Sequence, residues 1–175
     1  FGVGVGITAQ EDWIIIATGD NVTSEVRLVP ADNPLAEPIL VSPRKVGREY
    51  SVDVRDGTLY ILTNDDHVNF RVATASLKSP GEWTTLIAGS DKHYLTGVSL
   101  FKDFFVTEGR IDGLDQVEVR RYDSPTKAEP IKLWLAKVGY ERMQEMADPA
   151  LSLERARTTW QKHGRSEKWI QQRMT

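Results

Sequence analysis

Hydrophobic residues in the first 130 positions form short runs that alternate with polar segments at regular intervals. Three stretches share one plan, in which a nearly continuous apolar run leads into a polar turn and then into strict alternation of apolar and polar residues. Alternation with a period of two is typical of a half-buried strand, so each stretch is predicted to be a β-hairpin. The stretches are WIIIATGDNVTSEVRLVP from Trp13, TLYILTNDDHVNFRVATA from Thr58 and DFFVTEGRIDGLDQVEVRRYD from Asp103.

The first strand of each hairpin has no polar face. Ile14–Ile16, Leu59–Leu62 and Phe104–Val106 are apolar throughout, so we expect neighbouring sheets to cover them on both sides. The hairpins recur about every 45 residues, with shorter strand candidates such as EYSVDV and LTGVSLF between them. Four strands in a repeat of that length are typical of β-propeller blades, whose sheets stack face to face. The sequence therefore predicts a mainly β fold, a partial β-propeller of about three blades of four-stranded antiparallel sheet. A β-sandwich with similar strand spacing is the alternative.

The pattern changes from strand to helix near residue 130. Apolar residues then recur at helical spacing, and Asp148-Pro149 and Ser166 are typical helix starts. These features predict three short amphipathic helices. We therefore expect a partial propeller over residues 1–128 and a three-helix appendage over residues 129–175. The apolar positions of the first helix are Leu133, Ala136, Tyr140, Met143 and Ala147.

Charge is distributed unevenly between these two parts. Residues 1–130 contain 13 basic and 20 acidic residues, a net charge of −7, whereas residues 131–175 have a net charge of +4. This asymmetry supports a boundary near residue 130. The absence of cysteine excludes disulfides and cysteine nucleophiles and fits a reducing compartment, which predicts a cytoplasmic location. No apolar run approaches the roughly 20 residues of a membrane span, so we expect no membrane partner.

Acidic and imidazole side chains stand together at Asp65-Asp66-His67, a combination found in metal sites and catalytic sites. The stretch occupies the place of Gly19-Asp20-Asn21 and Ile111-Asp112-Gly113 in the other hairpins, where Asx and Gly residues satisfy local backbone groups. A metal site would need further ligands, and His93 and His163 lie in unrelated sequence contexts. The hairpin-turn interpretation is therefore favoured.

Other motifs do not point to catalysis. GVGVG at Gly2–Gly6 has neither a preceding strand nor a following helix, as a dinucleotide-binding loop requires. No GxSxG nucleophile motif occurs. The carboxylate pairs Asp20 with Glu25 and Asp112 with Asp115 are better explained as turn and strand-face residues than as acid/base pairs. The sequence predicts no catalytic, cofactor-binding or metal-binding residue.

The first segment nevertheless resembles a known family. Through EYSVD, LYILTND, NFR and RIDGL, residues 1–128 resemble the N-terminal propeller of oligopeptidase B, in the prolyl oligopeptidase family of serine peptidases. The resemblance implies middle blades of a seven-bladed propeller that covers the active site of a separate α/β-hydrolase domain. Such a propeller restricts access to short peptides, which oligopeptidase B cleaves after basic residues. The serine, aspartate and histidine of that family lie in the hydrolase domain, so the resemblance implies that this chain is inactive by itself. Its implied partners are the hydrolase domain, the remaining blades and short peptides.

The first position, Phe1, falls within a strand-like run, so we expect a piece of a longer protein.

The second segment resembles a different group of proteins. Through WLAKVGYERMQEMADPALSLERAR and KWIQQRM, residues 131–175 resemble the helical region of DNA-damage-inducible protein D and related phage antirepressors with a Bro-type domain. Trp160 and Trp169 are interleaved with basic residues, a feature of some nucleic-acid-binding surfaces. The favoured interpretation is that the tryptophans are buried and the basic residues face water, because a net charge of +4 is a modest electrostatic footprint. The candidate nucleic-acid contacts are Arg155, Arg157, Lys162, Arg165, Lys168 and Arg173.

Three interpretations of function follow. The leading one is a non-catalytic propeller segment of a serine oligopeptidase. The alternatives are a regulatory or nucleic-acid-associated protein whose identity lies in the helical segment, and a chimera with no evolved function of its own. An open array of blades exposes strand edges and terminal faces, which favours self-association. We also expect the helices to lie against an exposed blade face and to bury Trp134 or Trp160.

Overall fold

The computed structural model describes residues 1–174, except for the side chains of residues 132–134, 136, 145, 149 and 174. The chain divides into two compact units, Phe1–Ile131 and Lys132–Thr175. The first unit is built from strands and the second from helices.

Three four-stranded antiparallel sheets form the first unit, and in each the strands pair in chain order. The mainly β fold, a partial propeller of three blades followed by helices, is confirmed. The first sheet contains β1 (Gly2–Ile7), β2 (Trp13–Gly19), β3 (Ser24–Pro30) and β4 (Ile39–Leu40). The second contains β5 (Tyr50–Arg55), β6 (Thr58–Thr63), β7 (Arg71–Ser76) and β8 (Ser79–Ile87). The third contains β9 (His93–Leu100), β10 (Phe104–Ile111), β11 (Leu114–Arg121) and β12 (Ala128–Pro130).

The second sheet lies between the other two and contributes to two hydrophobic clusters. The larger cluster joins the first and second sheets, and the smaller joins the second and third. Strand β6 contributes to both because its side chains alternate between faces. Leu59 and Ile61 belong to the larger cluster and Leu62 to the smaller, and all three are buried. The expectation that this strand is covered on both sides is confirmed.

The same expectation is wrong for the first hairpin. Ile15 pairs with Leu28 of β3 and packs on the larger cluster. Ile14 and Ile16 point to the opposite face, are only half-buried, and pair with Ile7 and Val5 of β1. That face is not covered by a neighbouring sheet of the first unit, because the first sheet packs against the second only on the side of Ile15.

Three helices form the second unit, as the sequence predicts. They are α1 (Ile131–Ala147), α2 (Pro149–Lys162) and α3 (Glu167–Met174). Asp148 caps α2, because its carboxylate accepts a hydrogen bond from the Ala150 backbone N–H at 3.0 Å. Ser166 precedes α3, and its hydroxyl accepts from the Trp169 N–H at 3.4 Å.

Part of the predicted apolar face of α1 is exposed. Tyr140 and Met143 are both more than half exposed. The predictions for Leu133, Ala136 and Trp134 fall on side chains outside the described residues. No helix among the described residues is both long enough and apolar enough to cross a membrane.

Candidate functional site

One end of the first unit carries the turns that the sequence analysis singled out. Because strands in each sheet alternate in direction, the β2–β3, β6–β7 and β10–β11 turns lie at corresponding ends of their sheets. The two connections between sheets, residues 41–49 and 88–92, lie at the same end. The Ser24 N–H donates to the carbonyl of Arg48 at 3.0 Å, and the Leu95 N–H donates to the carbonyl of Asn69 at 3.0 Å. These bonds join the three sheets at what we call the turn end.

Asp65 has a structural role at this end. Its carboxylate oxygens accept hydrogen bonds from Nε and Nη2 of Arg71 at 2.8 and 2.9 Å. Nη1 of the same arginine donates to the Thr85 hydroxyl at 2.6 Å. The hydrogen bond from Arg71 lowers the pKa of the Asp65 carboxyl, and partial burial opposes that shift. The Asp65 carboxylate therefore stabilises the β6–β7 turn through its hydrogen bonds with Arg71 of the second sheet.

His67 connects the turn to the residues that lead into the third sheet. Its Nδ1 accepts a hydrogen bond from the Asn69 backbone N–H at 3.0 Å, and its Nε2 lies 3.3 Å from an oxygen of Asp91. Asn69 donates through its side-chain amide to the carbonyl of Ser90 at 2.9 Å. The hairpin-turn interpretation of Asp65–His67 is confirmed, since the segment joins β6 to β7. The described residues contain no group of three or more histidine, aspartate or glutamate side chains arranged to hold a metal.

The other candidate carboxylates have local partners. The Asp20 carboxylate accepts from the Val22 N–H at 3.0 Å, as in an Asx turn. Glu25 pairs with Arg27, which lowers the pKa of the glutamate carboxyl. In the third hairpin, Asp115 accepts from Arg110 at 2.8 Å. These contacts match the prediction of turn and strand-face roles.

A cavity of about 340 Å³ lies beside the turn end, between the second and third sheets. Its walls come from β5 and β6, from the segment before β7, and from the start of β9, with one residue of β3. Two of the strands that border it, β5 and β9, are edge strands of their sheets. The lining residues are Ser24, Glu49, Tyr50, Ser51, Leu62, Phe70, Tyr94, Leu95 and Thr96.

Phe70 has an unusual backbone conformation at this cavity. The sequence pattern places it in an alternating strand, but β7 begins one residue later at Arg71 and Phe70 has φ of 65°. That left-handed conformation is uncommon for a bulky residue and is concentrated at functional positions. The Phe70 N–H donates to the His67 carbonyl at 2.9 Å, and its ring meets the ring of Tyr94 edge to face at 5.9 Å. The prediction for Phe70 is therefore wrong, because the turn is longer than the alternation indicates.

Glu49 also lines this cavity. Its backbone N–H donates to the side-chain oxygen of Asn64 at 2.8 Å, and one carboxylate oxygen accepts from the amide of that asparagine at 3.3 Å. Within the part of the chain that the structure describes, no basic side chain forms an ion pair with Glu49. The neighbouring Arg48 stacks instead over Tyr50 and Trp83, with its guanidinium carbon 5.4 and 5.1 Å from the ring centroids. Sequence reasoning did not identify Glu49, because it belongs to no motif.

A second polar cluster lies at the opposite end of the first unit. Arg55 donates to the carbonyl of Lys102 at 2.7 Å, pairs with Asp56 at 2.6 Å and lies 4.0 Å above the ring of Tyr122. Burial raises the pKa of the Tyr122 hydroxyl to about 12, although the positive charge of Arg55 opposes that shift. The positive charge of Arg55 is neutralised by its ion pair with the carboxylate of Asp56.

The candidate nucleic-acid residues of the second unit are in three different situations. Arg165 and Arg173 stack on the ring of Trp169, at 4.9 and 4.2 Å from its centroid. Arg157 forms an ion pair with Glu167. Arg155, Lys162 and Lys168 are exposed.

Trp160 meets Trp169 edge to face at 5.5 Å, and both rings are half-buried. This contact joins α2 to α3, but the burial predicted for the two tryptophans is only partial. The nucleic-acid assignment of the basic residues stays a prediction.

Comparison with known proteins gives a consistent result. Residues 1–151 match the family described as prolyl oligopeptidase, N-terminal beta-propeller domain, and the match continues past the boundary between the two units. Dipeptidyl aminopeptidase BI of Pseudoxanthomonas mexicana is 31% identical over 126 residues, which cover 70% of this chain and 17% of that protein. Protease 2 of Moraxella lacunata is 29% identical over 107 residues, which cover 61% of this chain and 16% of that protein.

Solved structures show the same relationship. Oligopeptidase B from Trypanosoma brucei, in a closed form with covalently bound antipain, is 35% identical with a TM-score of 0.67, over 70% of this chain and 18% of that one. Oligopeptidase B from Leishmania major has a TM-score of 0.70 at 22% identity, over 75% and 20% of the two chains, which shows a shared fold. The chain spans about one sixth of the length of the curated relatives it matches.

Proposed function

Because the chain belongs to the prolyl oligopeptidase N-terminal β-propeller family, we propose that it is a non-catalytic propeller segment that filters peptides for a serine peptidase. The observation that carries the proposal is the match of 70% of this chain, at 35% identity, to an oligopeptidase B whose structure contains covalently bound antipain. In this role the segment guides short peptides towards a hydrolase domain and keeps larger chains out. Cleavage after basic residues would follow the oligopeptidase B branch.

The exposed face of the first sheet supports the proposal that this segment binds further parts of a larger enzyme. Val3 and Val5 are each 74% exposed and share that face with Ile14 and Ile16. Such a face is typical of a surface that another blade covers in a closed propeller. We therefore assign further blades and a hydrolase domain as the partners of this segment, in a cytoplasmic enzyme that acts on short peptides. In the isolated chain, the same face supports self-association.

The catalytic part of the proposal has a direct test. The purified chain is incubated with a fluorogenic peptide that contains arginine, and no turnover is expected, because the described residues contain no serine in a GxSxG motif. Hydrolysis that a serine-directed inhibitor abolishes would contradict the proposal. An intact oligopeptidase B serves as the positive control.

A second candidate function is a regulatory or nucleic-acid-associated role through the helices, related to DNA-damage-inducible protein D. One observation favours it: Lys162 and Lys168 are exposed on helices that also carry the half-exposed rings of Trp160 and Trp169. The role predicts salt-dependent DNA binding that weakens when Arg155, Lys162 and Lys168 are neutralised together. Absence of DNA binding at low salt would contradict it.

The third candidate is a chimera without an evolved function. Both segments would then be unrelated in origin and would meet near Glu129–Lys132. Unbroken sequencing of the source DNA across this junction tests the idea. A reading frame that continues from the junction into further blades and a hydrolase domain would contradict it.

A further inference from the structure

We infer that the β10–β11 turn, Asp112–Gly113, is a site of spontaneous covalent modification, at which the aspartate isomerises to isoaspartate. The chain contains two Asp-Gly pairs, Asp56–Gly57 in the β5–β6 turn and Asp112–Gly113. The structure distinguishes them, because contacts protect the first pair and leave the second exposed to the reaction. This inference does not depend on the proposed peptide filter, since it concerns the covalent chemistry of one hairpin.

The reaction joins the side chain of an aspartate to the backbone of the next residue. The backbone nitrogen of Gly113 attacks the carboxyl carbon of Asp112, and a C–N bond forms. The hydroxyl of the protonated carboxyl group leaves as water with the proton of the amide, which gives a cyclic succinimide. Water then adds to the ring, and cleavage on the side of the backbone carbonyl gives isoaspartate. Glycine favours the reaction, because it has no side chain to shield its nitrogen.

The two Asp-Gly turns have the same backbone geometry. Each is a two-residue loop between paired antiparallel strands. The aspartates have φ of 50° and 51°, and the glycines that follow have φ of 74° and 79°. Positive φ at both central residues is typical of a type I′ turn. Both aspartates are exposed, and a Cβ placed on either glycine would meet no atom within 4 Å. A difference in reactivity must therefore come from the contacts of each turn.

Contacts hold both the carboxylate and the backbone of the Asp56–Gly57 turn. The side-chain amide of Gln10 donates to the Asp56 carboxylate at 2.9 Å and accepts from the Asp56 backbone N–H at 2.8 Å. Nη1 of Arg55 lies 2.6 Å from the other carboxylate oxygen. The carbonyl of Gly57 accepts from the backbone N–H of Leu77 at 3.1 Å. Closure of the succinimide ring would disrupt these interactions.

Asp112 lacks such contacts. In the described part of the chain, no group forms a hydrogen bond or an ion pair with its carboxylate. The ion pair beside the turn joins Arg110 to Asp115 and does not include Asp112. Leu114, which follows the turn, is 66% exposed. Among the described residues, nothing fastens this turn to a neighbouring sheet.

Ring closure requires the turn to open. In a type I′ turn, the Cα–C bond of the aspartate holds the next backbone nitrogen away from the side-chain carboxyl carbon, so this bond must rotate first. A left-handed backbone is unfavourable for a residue with a Cβ, and exposed hairpin tips with few contacts open at a small cost in free energy. We therefore expect the Asp112 turn to open more often than the Asp56 turn.

Isomerisation would change the turn end of the third sheet. Isoaspartate adds one carbon atom to the main chain and leaves the former backbone carboxyl group as a side chain. The altered turn no longer matches the pairing of Ile111 with Leu114, and the Arg110–Asp115 ion pair lies directly beyond it. The β10–β11 hairpin should therefore lose its register as the protein ages.

Ageing of the full chain in neutral buffer at physiological temperature tests the inference. A protease specific for lysine cuts the aged protein into peptides that include Val46–Lys78, with Asp56, and Asp103–Lys127, with Asp112. Chromatography separates isoaspartyl peptides from aspartyl peptides of equal mass, and fragment ions locate the altered residue. Isoaspartate is expected to accumulate about tenfold faster at Asp112 than at Asp56. Equal rates, or a faster reaction at Asp56, would overturn the inference.

The unfolded chain is the first control. In guanidinium chloride both Asp-Gly pairs lose their contacts, and the two aspartates are expected to isomerise at similar rates. A preference for Asp112 as large in the unfolded chain as in the folded one would show that the turn contacts do not set the rates. Absence of isoaspartate at Asp112 of the folded chain, over a period in which the unfolded chain forms it, would also overturn the inference.

Variants assign the reaction and its protection to named residues. Gln10→Ala removes two hydrogen bonds of Asp56 and should raise the rate at Asp56 several-fold while the rate at Asp112 stays unchanged. Asp112→Gly removes the reactive carboxyl and keeps a residue that favours positive φ, so Asp103–Lys127 should then form no isoaspartate. A folded Gln10→Ala protein with an unchanged rate at Asp56 would contradict the protective role of these contacts. Formation of isoaspartate in Asp103–Lys127 of Asp112→Gly at the wild-type rate would contradict the assignment to Asp112.

Discussion

The hydroxyl of Tyr50 connects two sheets through Val26. The Val26 backbone N–H in β3 donates to this hydroxyl at 2.8 Å, and the hydroxyl donates to the Ser42 carbonyl at 2.8 Å. The tyrosine is buried at the start of β5, and its ring meets Trp83 edge to face at 5.1 Å. One side chain thus satisfies two backbone groups of the first sheet and its connection, and joins them to the second sheet.

Tyr50→Phe should destabilise the first unit. The substitution leaves a buried N–H of Val26 and a carbonyl of Ser42 without the tyrosine hydroxyl, and an unsatisfied buried group costs about 1–3 kcal/mol. Urea unfolding followed by tryptophan fluorescence measures the free energy of unfolding. Tyr140→Phe, at an exposed position of α1, is the control and should not change it. Equal stability of the Tyr50→Phe and wild-type proteins would show that water replaces the hydroxyl.

Asp65→Asn should be far more damaging than Asp115→Asn. Both aspartates accept a hydrogen bond from an arginine Nε at 2.8 Å, but Arg71 is 9% exposed and Arg110 is 60% exposed. Loss of the half-buried pair with Asp65 is expected to cost about 1–3 kcal/mol at neutral pH, because hydrogen bonds to charged groups are the stronger ones. The exposed pair with Asp115 should contribute nothing measurable. Denaturant unfolding of both variants compares them directly, and similar losses would contradict the structural role of Asp65.

The Asp65 pair also predicts a dependence of stability on acid. The hydrogen bond from Arg71 lowers the pKa of the Asp65 carboxyl below its usual 3.8. The contribution of the Asp65–Arg71 pair to the free energy of unfolding is therefore fully present above pH 3.8 and is lost as the pH falls through the lowered pKa. The difference in unfolding free energy between wild type and Asp65→Asn should shrink below pH 4. A difference that stays constant down to pH 2 would contradict this linkage.

Tyr122 predicts a loss of stability in alkali. Burial raises the pKa of its hydroxyl from 10 to about 12. The contribution to stability is present below pH 10 and is lost as the pH rises towards 12, because the unfolded chain ionises first. Ultraviolet titration of wild type and Tyr122→Phe should show one tyrosine fewer titrating at the high end. Identical titration curves above pH 11 would contradict the assignment.

The uncovered face of the first sheet predicts self-association. Val5 lies at the centre of an apolar face with Val3, Ile7, Ile14 and Ile16. Val5→Lys should shift the chain towards monomer in sedimentation velocity, since a charge on this face opposes its burial. Val46→Lys, at an exposed site between the first and second sheets, is the control. A wild-type chain that is monomeric at high concentration would contradict the prediction.

The sequence pattern predicted the strands well, because the alternation of apolar and polar residues along a strand reflects which of its side chains are buried. In β6, Leu59 and Ile61 alternate with Tyr60, and the two faces of the strand pack against two neighbouring sheets. The first hairpin has the same apolar run, yet Ile14 and Ile16 have no covering sheet, and nothing in the run itself distinguishes the two cases.

The candidate site could not be found by the same means. Glu49 and Tyr94 are far apart in sequence, and they border one cavity only because successive sheets stack. Phe70 continues the apolar alternation of its hairpin, and its left-handed backbone arises from the hydrogen bonds of the turn around His67. Periodicity reports which side of an element is buried, but it carries no signal for side chains that meet from different blades.

The most direct test of the peptide-filter role is an exchange of blades. Residues 1–131 of this chain replace the matching segment of oligopeptidase B from Trypanosoma brucei, and the hybrid is assayed with a short arginine peptide and with a long unfolded protein. We predict that the hybrid cleaves the short peptide and excludes the long protein, and the parent enzyme is assayed in parallel as the control. A folded hybrid that cleaves the long protein as readily as the short peptide would contradict the proposal that these blades filter substrates.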